Sequence, residues 1–482
     1  MPDIAFGTDG WRAVIADTFT FDNVRQVTEA IAVAARGLAP PDGIDGNALV
    51  VGYDRRFLSR DFAVVAAETL KSAGFRVILS KSPTPSQTIS FTAANRKLLG
   101  GVVITASHNP AKYNGVKFKA WYGGSALPEM YRAIGDALGK RAARDGGSIA
   151  EEEILEDYVS ALRGQVDVQK ILGARMAILH DPMHGVAAQI PSKVVGIDYV
   201  GNARILRRSL EKLIQSVIDT VRGEVNPSFG GVNPEPIPEN LVAARNVMLT
   251  GEYDLALCND GDADRLGVLD ERGDFVSPHK VIALLALYLV REKKMTGEIV
   301  KTFSTTRLIE RVAKALGAGF HETPIGFKYV ADLMLTRNIL IGGEESGGIG
   351  FGHFLPERDG ILSGLLVAEC VAHYGLPLST IVAGMENEFG TLYYARRDVH
   401  RAAERCELLI ERARRGELDG AFGRGFTSRE EKDGVKLNFD DGTWILFRKS
   451  GTEPMIRIYC ESPDADRVEE MLATAVMELD RT

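Results

Sequence analysis

Three observations predict an α/β fold in several domains. Strand and helix patterns alternate from Leu49 to Ile104, the alternation returns from Leu255 to Ile341, and from about Thr391 the order becomes strand, helix, strand, strand, helix. Alternation of this kind builds parallel sheets with right-handed crossovers, whereas the last segment reads as a separate α+β domain. At 482 residues the chain exceeds what one hydrophobic core holds, and length alone points to three or four domains.

The chain opens with the glycine-punctuated turn Phe6–Arg12, followed by Val24, Val27, Ile31 and Ala34 at helical spacing. Leu49–Gly52, Phe75–Leu79 and Leu99–Ile104 read as strands, separated by a helix over Phe62–Leu70 and a more polar helix. Ligands in such sheets bind beyond the carboxyl ends of the strands, which is where Ser107 falls. A Gly- and Glu-rich link near 145–153 leads to a second block that starts at Met176–His180 and closes at the Pro- and Gly-dense loop Asn226–Asn240. A third block opens with Leu255–Cys258 and ends at Ile339–Ile341. The expected domains are 1–150, 151–252, 253–375 and 376–482.

Composition narrows the class. With 45% hydrophobic and 25% charged residues the chain reads as an ordinary globular protein, and a net charge of -8 argues against a nucleic-acid surface. Cys258, Cys370, Cys406 and Cys460 are too scattered for a C-x-x-C site and read as reduced thiols. The first residues lack a basic and apolar leader pattern and no stretch is apolar enough for a membrane helix, so a cytoplasmic location without a membrane partner is the expectation.

Four stretches carry chemistry. Thr105–Pro110 places Ser107 at the mouth of a strand, as a nucleophile or phosphate carrier, with His108 and Lys117 as nearby proton-transfer candidates. Asn259–Arg265 sets Asp260, Asp262 and Asp264 at alternate positions, so that in an extended loop their oxygens converge on a hard divalent cation. An EF-hand reading, which would add Glu271, fails because its sixth position is Arg265 rather than Gly and its flanks are strand-like; a solvated acidic turn would leave three acids repelling one another. Arg448–Pro454, with Arg457 beyond, combines cations, hydroxyls and an open backbone suited to a phosphate. Glu344 and Ser346, in the glycine-rich run Gly342–Gly347, are suited to vicinal sugar hydroxyls, with a capping turn as the alternative. His180 and His184 stand four apart, but Pro182 and Gly185 break a helix there and a structural role is expected.

Phe6–Arg12, Thr105–Pro110, Asp260–Arg265, Gly342–Gly347 and Arg448–Pro454, in that order along nearly the whole chain, resemble the signature of the α-D-phosphohexomutase superfamily. The resemblance implies three doubly wound α/β domains and a C-terminal one around a central cleft. It implies that Ser107 is a phosphoserine whose phosphate joins Asp260, Asp262 and Asp264 in holding Mg²⁺, with Arg12, His108, Lys117 and Arg265 around the phosphoryl group. Glu344 and Ser346 would grip sugar hydroxyls, and Arg448, Ser450, Gly451, Thr452 and Arg457 the phosphate that is not transferred; Lys301 and Lys328 match further positions. The implied reaction interconverts hexose 1- and 6-phosphates through glucose 1,6-bisphosphate. Gly343-Glu344-Glu345-Ser346 favours glucose, with phosphomannomutase or dual specificity, phosphoglucosamine mutase and a metal-dependent sugar phosphatase as alternatives, and monomer and dimer both open. About twenty residues, Ile190–Arg208, are extra relative to the family pattern.

Overall fold

A computed structural model describes residues 4, 6, 9–142, 146–197, 215–250, 252–423, 425–449 and 455–481. The first sheet runs β1 (Trp11–Val14), β5 (Tyr113–Ala120), β4 (Leu98–Ile104), β2 (Asp45–Tyr53), β3 (Arg76–Ser80), β6 (Ser148–Glu152) in spatial order. β4, β2, β3 and β6 are parallel, while β5 and β1 run against them. Both faces are covered, which is why β2 reads as an unbroken apolar run. Leu49 and Val51 join the core under the helices Phe21–Arg36 and Ser59–Ser72, and Ala48 and Val50 meet Ile89 and Ala93 of the helix Ser86–Asn95. The antiparallel β5 was not expected, and it carries Lys117.

In the second sheet β7 (Ala177–Asp181) lies between the parallel strands β8 (Val217–Thr220) and β9 (Leu255–Asn259), and β10 (Leu266–Leu269) and β11 (Phe275–Val276) follow antiparallel. The strand that carries the aspartate loop therefore belongs to the second sheet instead of opening the third. The pairing that decides this, Ile178 with Leu255, spans a sequence separation no local pattern registers. The third sheet holds β13 (Phe320–Thr323), β12 (Glu298–Thr302), β14 (Ile339–Gly343) and the antiparallel β15 (Ile349–Gly350). The second and third sheets share one continuous core through the buried helices Pro278–Arg291 and Gly360–Tyr374.

The last sheet is antiparallel: β16 (Tyr393–His400), β20 (Met455–Ser462), β19 (Trp444–Lys449), β18 (Val435–Phe439), β17 (Phe426–Glu430). Alternate residues face opposite ways. Ile445, Phe447, Ile456 and Ile458 meet the helices Ala403–Arg414 and Ala465–Asp480, while Trp444, Leu446 and Tyr459 pack on Phe303 beyond β12. Two strands more than expected are present, and Arg448 and Lys449 end β19 instead of lying in the loop. Arg307 ties the third unit to this sheet: its backbone N–H donates to Glu461 Oε1 (2.9 Å) and its guanidinium to Asn438 Oδ1 (2.6 Å) and Gly442 O (3.1 Å).

The start of the extra segment is a core helix, Ile190–Val195, with Ile190, Val194 and Val195 buried; 198–214 lie outside the described residues. The four cysteines are buried and free. Among the described residues no single helix is long and apolar enough to cross a membrane.

Candidate active site

The turn after β4 holds Ser107 in the left-handed region, at φ +52°, which an L residue occupies only when its surroundings impose it. Buried Arg56 supplies those surroundings. It donates to Ser107 O (2.6 Å), Asn109 O (2.7 Å), Pro110 O (2.9 Å) and Tyr113 O (3.0 Å), and its Nε donates to Asp54 Oδ2 (3.1 Å). The fork geometry of a guanidinium suits this convergence of carbonyls. Thr105 Oγ1 donates to Asp54 Oδ2 (2.7 Å) and accepts the Ser107 N–H (2.9 Å). Arg12 donates to Asn109 Oδ1 (2.6 Å), and His108 Nδ1 lies 3.4 Å from Ser107 Oγ. Burial, then Arg265, Arg12 and Lys117, push the His108 imidazole well below its usual range, so it is neutral at pH 7.

The aspartate loop leaves β9 and abuts this serine. Ser107 Oγ donates to Asp260 Oδ2 at 2.8 Å across 153 positions of sequence. Gly261 makes the approach possible, since a Cβ there would stand 2.6 Å from Ser107 O. Asp260, Asp262 and Asp264 are all buried, and ligand oxygens from the three lie within 4.8 Å of one another. Asp260 has both oxygens held by the protein, and Asp262 and Asp264 one each. Asp260 Oδ1 accepts the Arg265 N–H (3.0 Å), Asp262 Oδ2 accepts from Ser86 Oγ (2.6 Å) and Lys117 Nζ (3.0 Å), and Asp264 Oδ2 accepts from Arg358 Nη2 (2.7 Å). Asp262 Oδ1 and Asp264 Oδ1 are buried without a hydrogen-bond partner. Two orphaned oxygens beside a third carboxylate form a donor set that fits a hard divalent cation.

The electrostatics follow from this crowding. Burial together with Asp264 and Asp262 raises Asp260 well above the carboxylate range. Burial pulls Asp262 the same way, but Lys117 and the bond from Ser86 outweigh it and hold Asp262 low. Lys117 loses to burial and gains more from Asp262, Asp9 and Asp264, so its ammonium is held well above the usual lysine range. It sits 2.9 Å from Asp9 Oδ2.

The sugar-loop candidates lie in the turn between β14 and β15, against the aspartate loop, with Leu266 N–H donating to Gly347 O (3.0 Å). Glu344 is buried, and burial lifts its carboxyl to about 7 against the pull of Arg358; Ser346 is half-buried. Glu345 accepts from Ser304 Oγ (2.7 Å). Arg265 reaches from Glu235 Oε1 (2.8 Å) toward His108 Nε2 (3.5 Å).

The remaining candidates among the described residues have their partners elsewhere. Lys301 is buried against Glu322 Oε2 (2.5 Å) and Thr305 O (3.0 Å), and Lys328 lies over the ring of Tyr329. Arg448 pairs with Asp433 (3.0 Å), and Arg457 sits beside Asp398 (3.9 Å), across the sheet from Arg448. Ser450, Gly451 and Thr452 lie outside the described residues. His180 bonds Asn259 Oδ1 (3.1 Å) and Glu271 bonds Ser379, so neither joins the aspartate cluster.

Sequence reasoning passed over Asp9, Arg56, Ser86 and Arg358. Asp9 lies inside the Phe6–Arg12 turn, and Arg56 lies four positions beyond the predicted strand Leu49–Gly52, where the rule of carboxyl-end loops applied to it as to Ser107. Ser86 and Arg358 sit in segments with no chemical pattern of their own.

Family models match almost the whole chain. The phosphoglucomutase/phosphomannomutase alpha/beta/alpha domains I, II and III match residues 3–145, 156–273 and 277–389, and the C-terminal domain of that family matches 401–477. A phosphoglucomutase/phosphomannomutase of Thermococcus kodakarensis is 30% identical over 98% of this chain and 97% of its own. A Methanothermobacter thermautotrophicus protein carrying the name probable phosphoglucosamine mutase is 31% identical over 96% of this chain and 94% of its own. A crystal structure from Thermus thermophilus that carries the name putative phosphomannomutase matches with a TM-score of 0.84 at 34% identity, covering 99% of both chains. The relatives' names divide over the sugar and agree on the chemistry. With four family domains matched in order on the fold those domains specify, the chain belongs to the phosphoglucomutase/phosphomannomutase family of the α-D-phosphohexomutase superfamily and is an isomerase of the intramolecular phosphotransferase type.

Proposed function

We propose that the protein interconverts glucose 1-phosphate and glucose 6-phosphate through phosphorylated Ser107 and a glucose 1,6-bisphosphate intermediate. The observation that carries this reading is the 2.8 Å contact between Ser107 Oγ and Asp260, which joins a strained serine to a buried aspartate cluster from another sheet. In the first half-reaction the bond from Oγ to phosphorus breaks, a bond from the sugar hydroxyl to phosphorus forms, and the hydroxyl proton ends on Oγ. In the second, a bond from Ser107 Oγ to the other phosphorus of the bisphosphate forms as the bond from that phosphorus to its sugar oxygen breaks. Neutral His108, 3.4 Å from Oγ, takes the serine proton and the departing sugar oxygen receives it as its hydroxyl proton, which leaves His108 neutral again. The cationic side chains of Arg12, Lys117 and Arg265 stabilise the phosphoryl oxygens, since phosphoryl transfer asks for positioning and neutralisation above all. Asp260, Asp262 and Asp264, with a phosphate oxygen on Ser107, would hold Mg²⁺, which when bound neutralises phosphoryl charge.

Glu344 and Ser346 grip the sugar hydroxyls. Arg448, Ser450, Gly451, Thr452 and Arg457 take the phosphate at rest, with Lys301 and Lys328 as further contacts. Either phosphate fits that clamp, and movement of the C-terminal sheet keeps water out during transfer. Glucose is favoured by Glu344-Glu345-Ser346. Dual glucose and mannose use is the second reading, supported by the name of the Thermococcus relative.

Incubation with glucose 1-phosphate, Mg²⁺ and catalytic glucose 1,6-bisphosphate tests the reaction. Glucose 6-phosphate is the expected product, and accumulation of inorganic phosphate in its place overturns the proposal. The same assay on mannose and glucosamine phosphates decides the sugar.

A further inference from the structure

Arg358 belongs to none of the motifs, yet it stands where three of them meet. Its Nη2 lies 2.8 Å from Asp9 Oδ2 and 2.7 Å from Asp264 Oδ2, and its Nη1 lies 3.6 Å from Glu344 Oε2. The backbone beside it fastens the same two loops: Asp359 N–H donates to Ile349 O (2.8 Å) and Gly360 N–H to Ala263 O (3.1 Å). The guanidinium is nine-tenths buried, so its charge is compensated by these carboxylates rather than by water. Gly348 leaves the path open, since a Cβ there would stand 2.4 Å from Arg358 Cδ.

We propose that Arg358 is a positioning residue shared by the aspartate loop and the sugar loop, so that binding of a divalent cation and binding of the sugar phosphate reinforce each other through one guanidinium. This deepens the function proposed above and rests on it. A cation at the aspartates and the guanidinium of Arg358 draw on the same Asp264 carboxylate. Charge withdrawn from Asp264 weakens its hold on Arg358 and leaves more of that charge to Glu344, which is then fixed as an ionised acceptor for sugar hydroxyls. A lysine has a single nitrogen and cannot hold Asp264 and Glu344 on separate arms, as the two ends of the guanidinium do.

The test uses full-length protein carrying Ser107→Ala to prevent turnover. Mn²⁺ affinity is read by electron paramagnetic resonance with and without saturating glucose 1-phosphate. With Arg358 present, glucose 1-phosphate is expected to tighten Mn²⁺ binding by about fivefold or more, within the usual range for coupled sites. Arg358→Gln should bring that ratio close to one. Arg358→Lys should retain Mn²⁺ affinity better than Gln does and still lose the coupling. Glu344→Gln should lose it as well, and combining it with Arg358→Gln should cost nothing further. Gly348→Ala, which keeps the arginine but blocks its path, should behave like Arg358→Gln, and thermal melting identifies any variant that fails to fold. An unchanged coupling ratio in folded Arg358→Gln and Arg358→Lys overturns the proposal. Failure of unsubstituted protein to turn over glucose 1-phosphate is a separate result, and it sinks the functional reading instead.

Discussion

Ser107 keeps a backbone conformation that costs about 1–3 kcal/mol because Arg56 holds four carbonyls around it. In the proposed reaction its hydroxyl carries the phosphoryl group. Ser107→Ala should lower kcat by on the order of 10⁴-fold or more while the protein still folds and binds glucose 1-phosphate, checked by steady-state assay and calorimetry. Intact-mass measurement after turnover should show one added phosphoryl group on the unsubstituted protein and none on the variant. Glu344 gives a second prediction. Burial raises its carboxyl from the usual 4.5 to about 7, so the folded state takes up a proton more readily than the unfolded one. Its contribution to stability is therefore complete below about pH 4.5 and lost as pH rises through 7. Between pH 5 and 8 the metal-free protein should lose stability relative to Glu344→Gln, on the order of 3 kcal/mol, read from the pH dependence of the difference between their melting temperatures. Asp359, raised by burial to about 6, contributes in the same sense and persists in the variant.

Among elements, the helix Ser86–Asn95 shows how a segment without a motif can serve a site. Its first residue donates through Oγ to Asp262 Oδ2 and through its N–H to Asp262 O, and Gln87 donates to Ala263 O (2.7 Å). Ser86→Ala should weaken divalent-cation binding about 10- to 100-fold, the range for partners that orient metal-ligating groups, with little effect on the melting temperature of metal-free protein. Nothing in Pro85-Ser86-Gln87 announced this, because the partner is 176 positions away and only the docked sheets bring it near. The serine and aspartate loops were legible, since each carries its chemistry within five or six consecutive residues. β2, β3 and β4 were legible for a related reason, as local patterning sets an element when both of its faces are buried. β5 was missed because Lys117 and Lys119 break its apolar pattern, and both lysines prove to be buried by pairing with acids from distant segments.

For the molecule as a whole, the attachment of the C-terminal sheet sets where the proposed phosphate clamp stands. Arg307 supplies three hydrogen bonds across that junction, and Lys436 is buried there over Phe303, its ammonium lowered to about 7 by burial and by Lys301. Arg307→Ala leaves Asn438 and Gly442 without the donors they face and should cost about 2–3 kcal/mol at the junction. Scanning calorimetry should then resolve an earlier transition for the C-terminal unit, with the main transition little moved. The assignment of β9 to the second sheet belongs to this scale as well, since strand membership follows from pairing across the chain. The aspartate cluster and the serine are carried by different sheets, and the charges that the proposed reaction would use, Lys117 with Asp262 and Arg358 with Asp9 and Asp264, are also the bonds that clasp those sheets together. Evolution consequently cannot retune the speed of this protein and its cohesion separately: an amino-acid change there that quickens transfer also resets how firmly the two halves of the body are joined.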